Sequence, residues 1–148
     1  QARETVHELV TDAVGQGAEV LTGGEPLPGR GNFYPPTVLV GVPKSARLLR
    51  EEIFGPVAPI RTFRTEAQAV QLANATEYGL VAYVFTRDLS RAIRLGEALE
   101  YGMVGLNTGI VSNPAAPFGG IKASGYGREG GAEGIEEYLQ VKYLGLKV

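Results

Sequence analysis

Two adjacent carboxylates, Glu51 and Glu52, stand directly before Ile53-Phe54-Gly55-Pro56-Val57. In extended backbone neighbouring side chains point to opposite sides, so the two cannot form the same-face acid pair of glycoside hydrolysis. A single carboxylate beside an aromatic and a Gly-Pro turn suits another task. An ionised carboxyl group only accepts hydrogen bonds, which matches the two hydroxyl donors of a ribose, and Phe54 would add an apolar wall. A solvated acidic turn is the alternative reading. A second group follows downstream, where Asn107, Thr108, Ser112, Asn113 and Phe118 interleave hydroxyls and amides with apolar residues. That mixture suits an anion or a carbonyl ligand. It equally suits turn formation by Ser, Asn and Pro.

Other chemistries are poorly served. The chain has no cysteine, which removes disulfides and thiolate metal sites. Its only histidine, His7, lies in a helical stretch beside Val6 and Glu8, and one imidazole does not make a metal cluster. Gly125-Tyr126-Gly127-Arg128-Glu129-Gly130 has the spacing of a dinucleotide fingerprint. It follows a polar loop instead of a strand, and no acid lies at the required distance before the chain ends, so its glycines are read as backbone turns. Asn74-Ala75-Thr76 has the form of a glycosylation site, but it falls at a helix end in a chain without a secretory leader.

The bulk properties agree with one domain over residues 1–148. The 148 residues are enough for a real core, and 44% hydrophobic with 20% charged residues is ordinary globular composition. A formal charge of -2 and a pI near 5.5 argue against nucleic acid as partner. No apolar run reaches the roughly 18 residues of a membrane span, and no charged segment precedes an apolar leader. A cytoplasmic location without membrane attachment is therefore expected. The first residue is Gln1, not Met, which fits a chain cut from a longer one.

The elements that must position these residues are an alternation of helices and strands. Ala2, Val6, Leu9, Val10, Ala13 and Val14 repeat at helical spacing over residues 2–14. Strands are expected at 19–21, 37–40, 57–63, 80–86 and 103–106. A Gly/Pro-rich loop covers 22–36, and 44–50 is one helical turn at most. Thr65, with Gln68 three residues on, should cap a helix to about residue 75. Asp88 should cap another to about residue 100, with Leu89, Ala92, Ile93, Leu95 and Leu99 on or near one face. Residues 107–131 form a long loop, the kind that usually serves a ligand. A helix at 132–139 and a strand at 140–146 close the chain. Strand–helix–strand–helix–strand over 57–106 predicts right-handed crossovers and a parallel sheet. Ligands then sit beyond the carboxyl ends of its strands, where the 107–131 loop departs.

Several stretches, in this order, resemble the C-terminal third of the aldehyde dehydrogenase superfamily. They are Gly31-Asn32-Phe33-Tyr34-Pro35-Pro36-Thr37-Val38-Leu39, residues 51–57, Leu72-Ala73-Asn74-Ala75-Thr76-Glu77-Tyr78-Gly79-Leu80, Gly105-Leu106-Asn107, and residues 117–130, which include Pro117-Phe118-Gly119-Gly120-Ile121-Lys122-Ala123-Ser124-Gly125. Residues 107–113 before Pro117-Phe118-Gly119-Gly120, and the ending Gly134-Ile135-Glu136-Glu137-Tyr138-Leu139, are most similar to succinate-semialdehyde dehydrogenases.

The resemblance implies a three-layer α/β/α fold with a mainly parallel sheet. It implies an enzyme that oxidises an aldehyde, here succinate semialdehyde, to its acid with NAD or NADP. Glu52 resembles the glutamate that holds the nicotinamide ribose hydroxyls, and Phe54 the aromatic packed on the same part of the cofactor. Ser112 resembles the serine that binds the substrate's distal carboxylate. Phe118 resembles the aromatic of the aldehyde tunnel, and Glu129 an acid near the water path. Lys122, Ser124 and Arg128 of the same loop are read as structural. Residues 140–148 resemble the strand that pairs subunits, so a homo-oligomer, dimer or tetramer, is implied.

In that family a cysteine thiolate attacks the aldehyde, hydride passes to NAD(P)+, and a glutamate-activated water hydrolyses the thioester. The thiol, the general base and the phosphate-binding domain lie upstream of this segment in the family. No residue of this chain supplies the thiol, so no catalytic residue is assigned here and the isolated chain is expected to be inactive. Two other readings remain open: a binding or assembly module derived from the same fold, and an enzyme that uses Glu51, Glu52 or Glu129 without a thiol.

Overall fold

The computed structural model describes residues 1–148. It divides into two compact units, Gln1–Gln68 and Ala69–Val148. The fold is of the α/β class, and no helix is long and apolar enough to cross a membrane.

The first unit opens with α1 (Ala2–Gly15), whose Val6, Leu9, Val10 and Ala13 are buried. Their helical spacing places them on one stripe. That stripe meets a three-stranded sheet in which β2 (Thr37–Val40) is central, antiparallel to β1 (Glu19–Thr22) and parallel to β3 (Val57–Ile60). Leu9, Val10, Ala13, Ala18, Leu39, Val42, Ala46 and Leu48 form the core, with Leu39 and Ala13 fully buried. The buried hydroxyl of Thr37 is satisfied locally. It donates to the Pro35 carbonyl (3.0 Å) and accepts from the Gly24 amide (2.9 Å), which pins the Gly/Pro-rich loop to the start of β2. One turn of 3-10 helix, Arg47–Leu49, leads to the 51–57 segment.

Helix α2 (Glu66–Asn74) follows. Its cap is reciprocal but shifted. Thr65 Oγ1 accepts from the Gln68 amide (3.2 Å), while Gln68 Oε1 accepts from the amide of Arg64 (2.8 Å), one residue earlier than the expected capping box predicts.

The second unit holds β4 (Tyr78–Gly79), β5 (Val81–Val84), α3 (Leu89–Ala98), β6 (Met103–Leu106) and β7 (Ile121–Lys122). Strands β5 and β6 pair in parallel and are joined through α3; β4 and β7 pair antiparallel. Asp88 caps α3 as expected, its Oδ1 accepting from the Arg91 amide at 3.0 Å.

Several expectations change. The strands expected at 57–63 and 80–86 are four residues each, Val57–Ile60 and Val81–Val84. Within the units the strand pairing is mixed, with two parallel and two antiparallel pairs. On α3 only Ala92 is buried, while Leu89 and Ile93 are 76% and 51% exposed. The helix expected at 132–139 is a 3-10 helix, Glu133–Tyr138. Glu133, Glu136 and Glu137 crowd like charges at helical spacing there, which weakens an α-helix. Residues 140–148 form no strand in this chain. Their alternating pattern is strand-like, but a strand exists only by pairing, and no neighbour is offered to them.

Candidate functional site

The 51–57 segment lies in the first unit, between the 3-10 turn and β3. Arg47 reaches forward one helical turn to Glu51, with Nε at 2.8 Å from Oε1 and Nη2 at 2.9 Å from Oε2. The guanidinium's hydrogen bonds hold the Glu51 carboxyl below its usual range, and the same bonds raise Arg47. Glu51 is thus engaged. Glu52 is exposed and makes no hydrogen bond or ion pair. The sequence offered one carboxylate of the two for a diol, and this geometry leaves Glu52 as the open acceptor.

Phe54 stands two residues on, 87% exposed and at φ 44. Exposed phenyl surface and a left-handed backbone are both unfavourable for this residue type, and such strain concentrates at functional positions. Gly55 explains how the turn is held. A Cβ there would come 2.6 Å from Val6 Cγ2 on α1, so only glycine lets the segment run against the buried stripe. The Pro56 carbonyl then accepts from the Thr37 amide (2.8 Å), leading the chain into β3.

In the second unit the 107–131 loop separates its polar side chains into used and unused. Asn107, at φ 55, clamps Thr86. Its Oδ1 accepts from the Thr86 amide and its Nδ2 donates to the Thr86 carbonyl, both at 2.8 Å. The side-chain amide thereby imitates one further rung of the β5–β6 ladder. Thr108 Oγ1 bridges both polar groups of the Ile110 backbone (3.0 and 3.2 Å). Asn113 Oδ1 accepts from the Ala115 amide (2.9 Å) in an Asx turn. Ser112 is exposed and makes no hydrogen bond. Of the four polar candidates, the turn chemistry consumes three and leaves the Ser112 hydroxyl.

Phe118 and Glu129 are brought together. They form an isolated antiparallel bridge, the Phe118 amide donating to the Glu129 carbonyl (2.7 Å) and the Glu129 amide to the Phe118 carbonyl (2.8 Å). Directly opposed residues of an antiparallel pair project to one side, so the two side chains leave the backbone on the same face. The chain between them folds tightly. A Cβ on Gly119 would meet the Gly127 carbonyl at 2.6 Å, and Arg128 Nη1 donates to the Gly120 and Gly127 carbonyls (2.8 and 2.7 Å). The structure therefore uses Arg128 as backbone scaffolding. Ser124 acts likewise, its Oγ accepting from the Gly79 amide (3.0 Å).

A shallow cavity of about 690 Å³ opens at the carboxyl ends of β5 and β6 and the start of α3, lined by Phe85, Thr86, Arg87, Leu89, Ala92 and Asn107. It lies where parallel strands usually present ligands. Of the residues singled out in the loop, only Asn107 lines it. The role of Asn107 as a ladder mimic was not readable from its neighbours in sequence; its only signal was its place immediately after β6.

Comparison with known proteins points in one direction. A profile described as the aldehyde dehydrogenase family matches residues 1–144. The chain is 59% identical over 145 residues to succinate-semialdehyde dehydrogenase of Paenarthrobacter nicotinovorans, covering 98% of this chain and 32% of that protein. It is 56% identical over 143 residues to glutarate-semialdehyde dehydrogenase of Pseudomonas putida, covering 97% of this chain and 29% of that one. The crystal structure of an NADP-dependent enzyme of E. coli superposes with a TM-score of 0.93 at 56% identity, over 97% of this chain and 30% of the other. The chain thus spans about a third of the length of the relatives it matches.

Proposed function

This chain belongs to the aldehyde dehydrogenase family, and from that premise we propose that it forms the C-terminal part of an NAD(P)-dependent enzyme that oxidises a semialdehyde, succinate semialdehyde first, to the dicarboxylic acid. The observation that carries the reading is the division between engaged and open side chains. Glu51, Asn107, Thr108 and Asn113 are bonded within the chain, while Glu52 and Ser112 keep their polar atoms for something else.

The donor and acceptor chemistry at residues 52–54 fits a nicotinamide ribose. Glu52 offers acceptors only, for two hydroxyl donors, and Phe54 offers an exposed apolar face. Bound there, NAD(P)+ supplies the hydride acceptor of the oxidation. Ser112 offers a hydroxyl donor to the distal carboxylate of the semialdehyde. Phe118 forms an apolar wall for the aliphatic part, with Glu129 beside it, an acceptor for a water near the reacting carbonyl. The nucleophile comes from outside these 148 residues, which contain no cysteine, and the isolated chain is inactive.

The test starts with the intact mass of the natural protein against the 15.7 kDa of this chain. That protein is then assayed for NAD(P)H formation from succinate and glutarate semialdehyde. Turnover of either supports the reading, and an intact protein inert to both with either cofactor sinks it.

Residues 140–148 are exposed and unpaired, with Val141, Tyr143 and Leu144 at 102%, 91% and 83% exposure. Such an extended apolar segment is proposed to add to a sheet edge of a second subunit. Removal of these residues from the natural protein is expected to lower its oligomeric state by sedimentation. An unchanged assembly would refute the pairing. The absence of cysteine also favours a second reading, an assembly module without catalysis, for which the natural mass would equal 15.7 kDa.

A further inference from the structure

Among residues that the proposed chemistry leaves unused, Lys122 joins the most separate parts of the second unit. It is one of only three non-glycine residues at positive φ, with φ 57. The surroundings must overrule the backbone preference of a side-chain-bearing residue there. They do so through the ammonium group, which has three protons to donate. Glu100 Oε2 lies 2.6 Å from Nζ, the Asn74 carbonyl 3.2 Å and the Thr76 carbonyl 3.4 Å. All three protons have acceptors. The Asn74 carbonyl is the last of α2 and Thr76 lies two residues beyond it, so the cation also meets the negative end of the helix dipole.

Asn74 extends the connection. Its Nδ2 donates to the Ala98 carbonyl at the end of α3 (2.9 Å), and its Oδ1 accepts from the Glu100 amide (3.0 Å). The ends of α2 and α3 are therefore fastened to each other and, through one lysine, to β7. Strand β7 lies within the hairpin whose open end is the Phe118–Glu129 pair. The bonds of Arg128 stay inside that hairpin. The contacts of Lys122 join the β4–β7 pairing, the Ala123–Glu77 backbone bond and the Gly79–Ser124 bond in tying the hairpin to the rest of its unit. Lys122 and Glu100 are the charged side chains among these ties, and Lys122 is three-quarters buried at 24% exposure.

We infer that Lys122 is a positioning residue: its contacts with Glu100, Asn74 and Thr76 set where Phe118 and Glu129 stand against the aldehyde. The inference rests on the reading that these two residues face the substrate. Lys122→Met keeps the length and removes all three bonds, while Glu100→Ala removes only the ion pair and spares the fold if the first variant is unstable.

In the full-length natural enzyme two readouts are taken, amide hydrogen exchange at Phe118 and Glu129, and steady-state kinetics. Lys122→Met is expected to speed exchange at both amides about tenfold or more and to raise the aldehyde KM about fivefold, with kcat and the NAD(P)+ KM within about twofold. Glu100→Ala should move the same quantities less. Unchanged exchange at both amides overturns the inference. So does faster exchange with an unchanged aldehyde KM, which marks Lys122 as structural only. A wild-type enzyme inert to aldehydes is a different failure, that of the functional reading itself, and shows before any variant is made.

Discussion

Glu52→Gln in the full-length natural enzyme is expected to lower kcat/KM for NAD(P)+ about ten- to hundredfold, while Glu51→Gln leaves it within about twofold. The carboxylates are neighbours, and the contrast comes from what each already touches. Glu51 takes a two-pronged bond from Arg47, so its acceptors are occupied and its loss acts on the loop alone. Glu52 has no partner in the chain. An ionised acceptor bonded to two hydroxyls is worth roughly twice a neutral one, and the amide also turns one acceptor into a donor that faces hydroxyl protons.

The effects also differ with pH. The Glu51 carboxyl is depressed below its ordinary 4.5 by the Arg47 hydrogen bonds. A depressed acid contributes stability that is present above its unfolded pKa and lost as pH falls through the folded value. Both side chains are about half exposed, so this contribution is small and screened by salt. Thermal melts of Glu51→Gln should therefore approach wild type in acid and at high salt, while the cofactor defect of Glu52→Gln persists at high salt. Equal kinetic defects in the two variants would refute the assignment of Glu52.

Much of this arrangement could be read from local chemistry. The α1 stripe, the β2 and β6 boundaries and the Asp88 cap depend on residues within a few positions of each other, and appear as expected except that Ala2 and Val14 of the stripe are exposed. The stretch 51–57 and the loop after β6 were marked by their residue types and by the family resemblance. What was hidden depends on backbone geometry or on distant partners. The engagement of Glu51 by Arg47 runs across a 3-10 turn that the sequence left ambiguous. The role of Lys122 needs carbonyls from positions 74 and 76, and nothing in Gly-Ile-Lys-Ala-Ser announces a left-handed lysine. Alternation in residues 140–148 signals a strand, but pairing needs a second edge, and a single chain provides none. The apolar face of α3 was similarly legible as a pattern and not as burial. Leu89 and Ile93 repeat at helical spacing yet face solvent, because spacing says which residues share a face and not what covers it.

The same distinction between engaged and open groups makes Ser112 the sharpest test of substrate choice. Asn107, Thr108 and Asn113 hold the loop by bonds to Thr86, Ile110 and Ala115, so replacing any of them would disturb backbone and binding together. Ser112 bonds nothing and is exposed, so Ser112→Ala should leave the melting temperature unchanged. Its hydroxyl is a neutral donor toward a charged acceptor, a bond worth about 1.5–3 kcal/mol, so kcat/KM for succinate semialdehyde should fall about tenfold or more. An uncharged aldehyde of the same length has no carboxylate for the hydroxyl to meet, and its kcat/KM should stay within about twofold of wild type. The ratio of the two substrates therefore isolates the contact from any general damage to the active site. A parallel loss with both aldehydes would show that Ser112 shapes the loop, and no loss with either would remove it from the substrate's path.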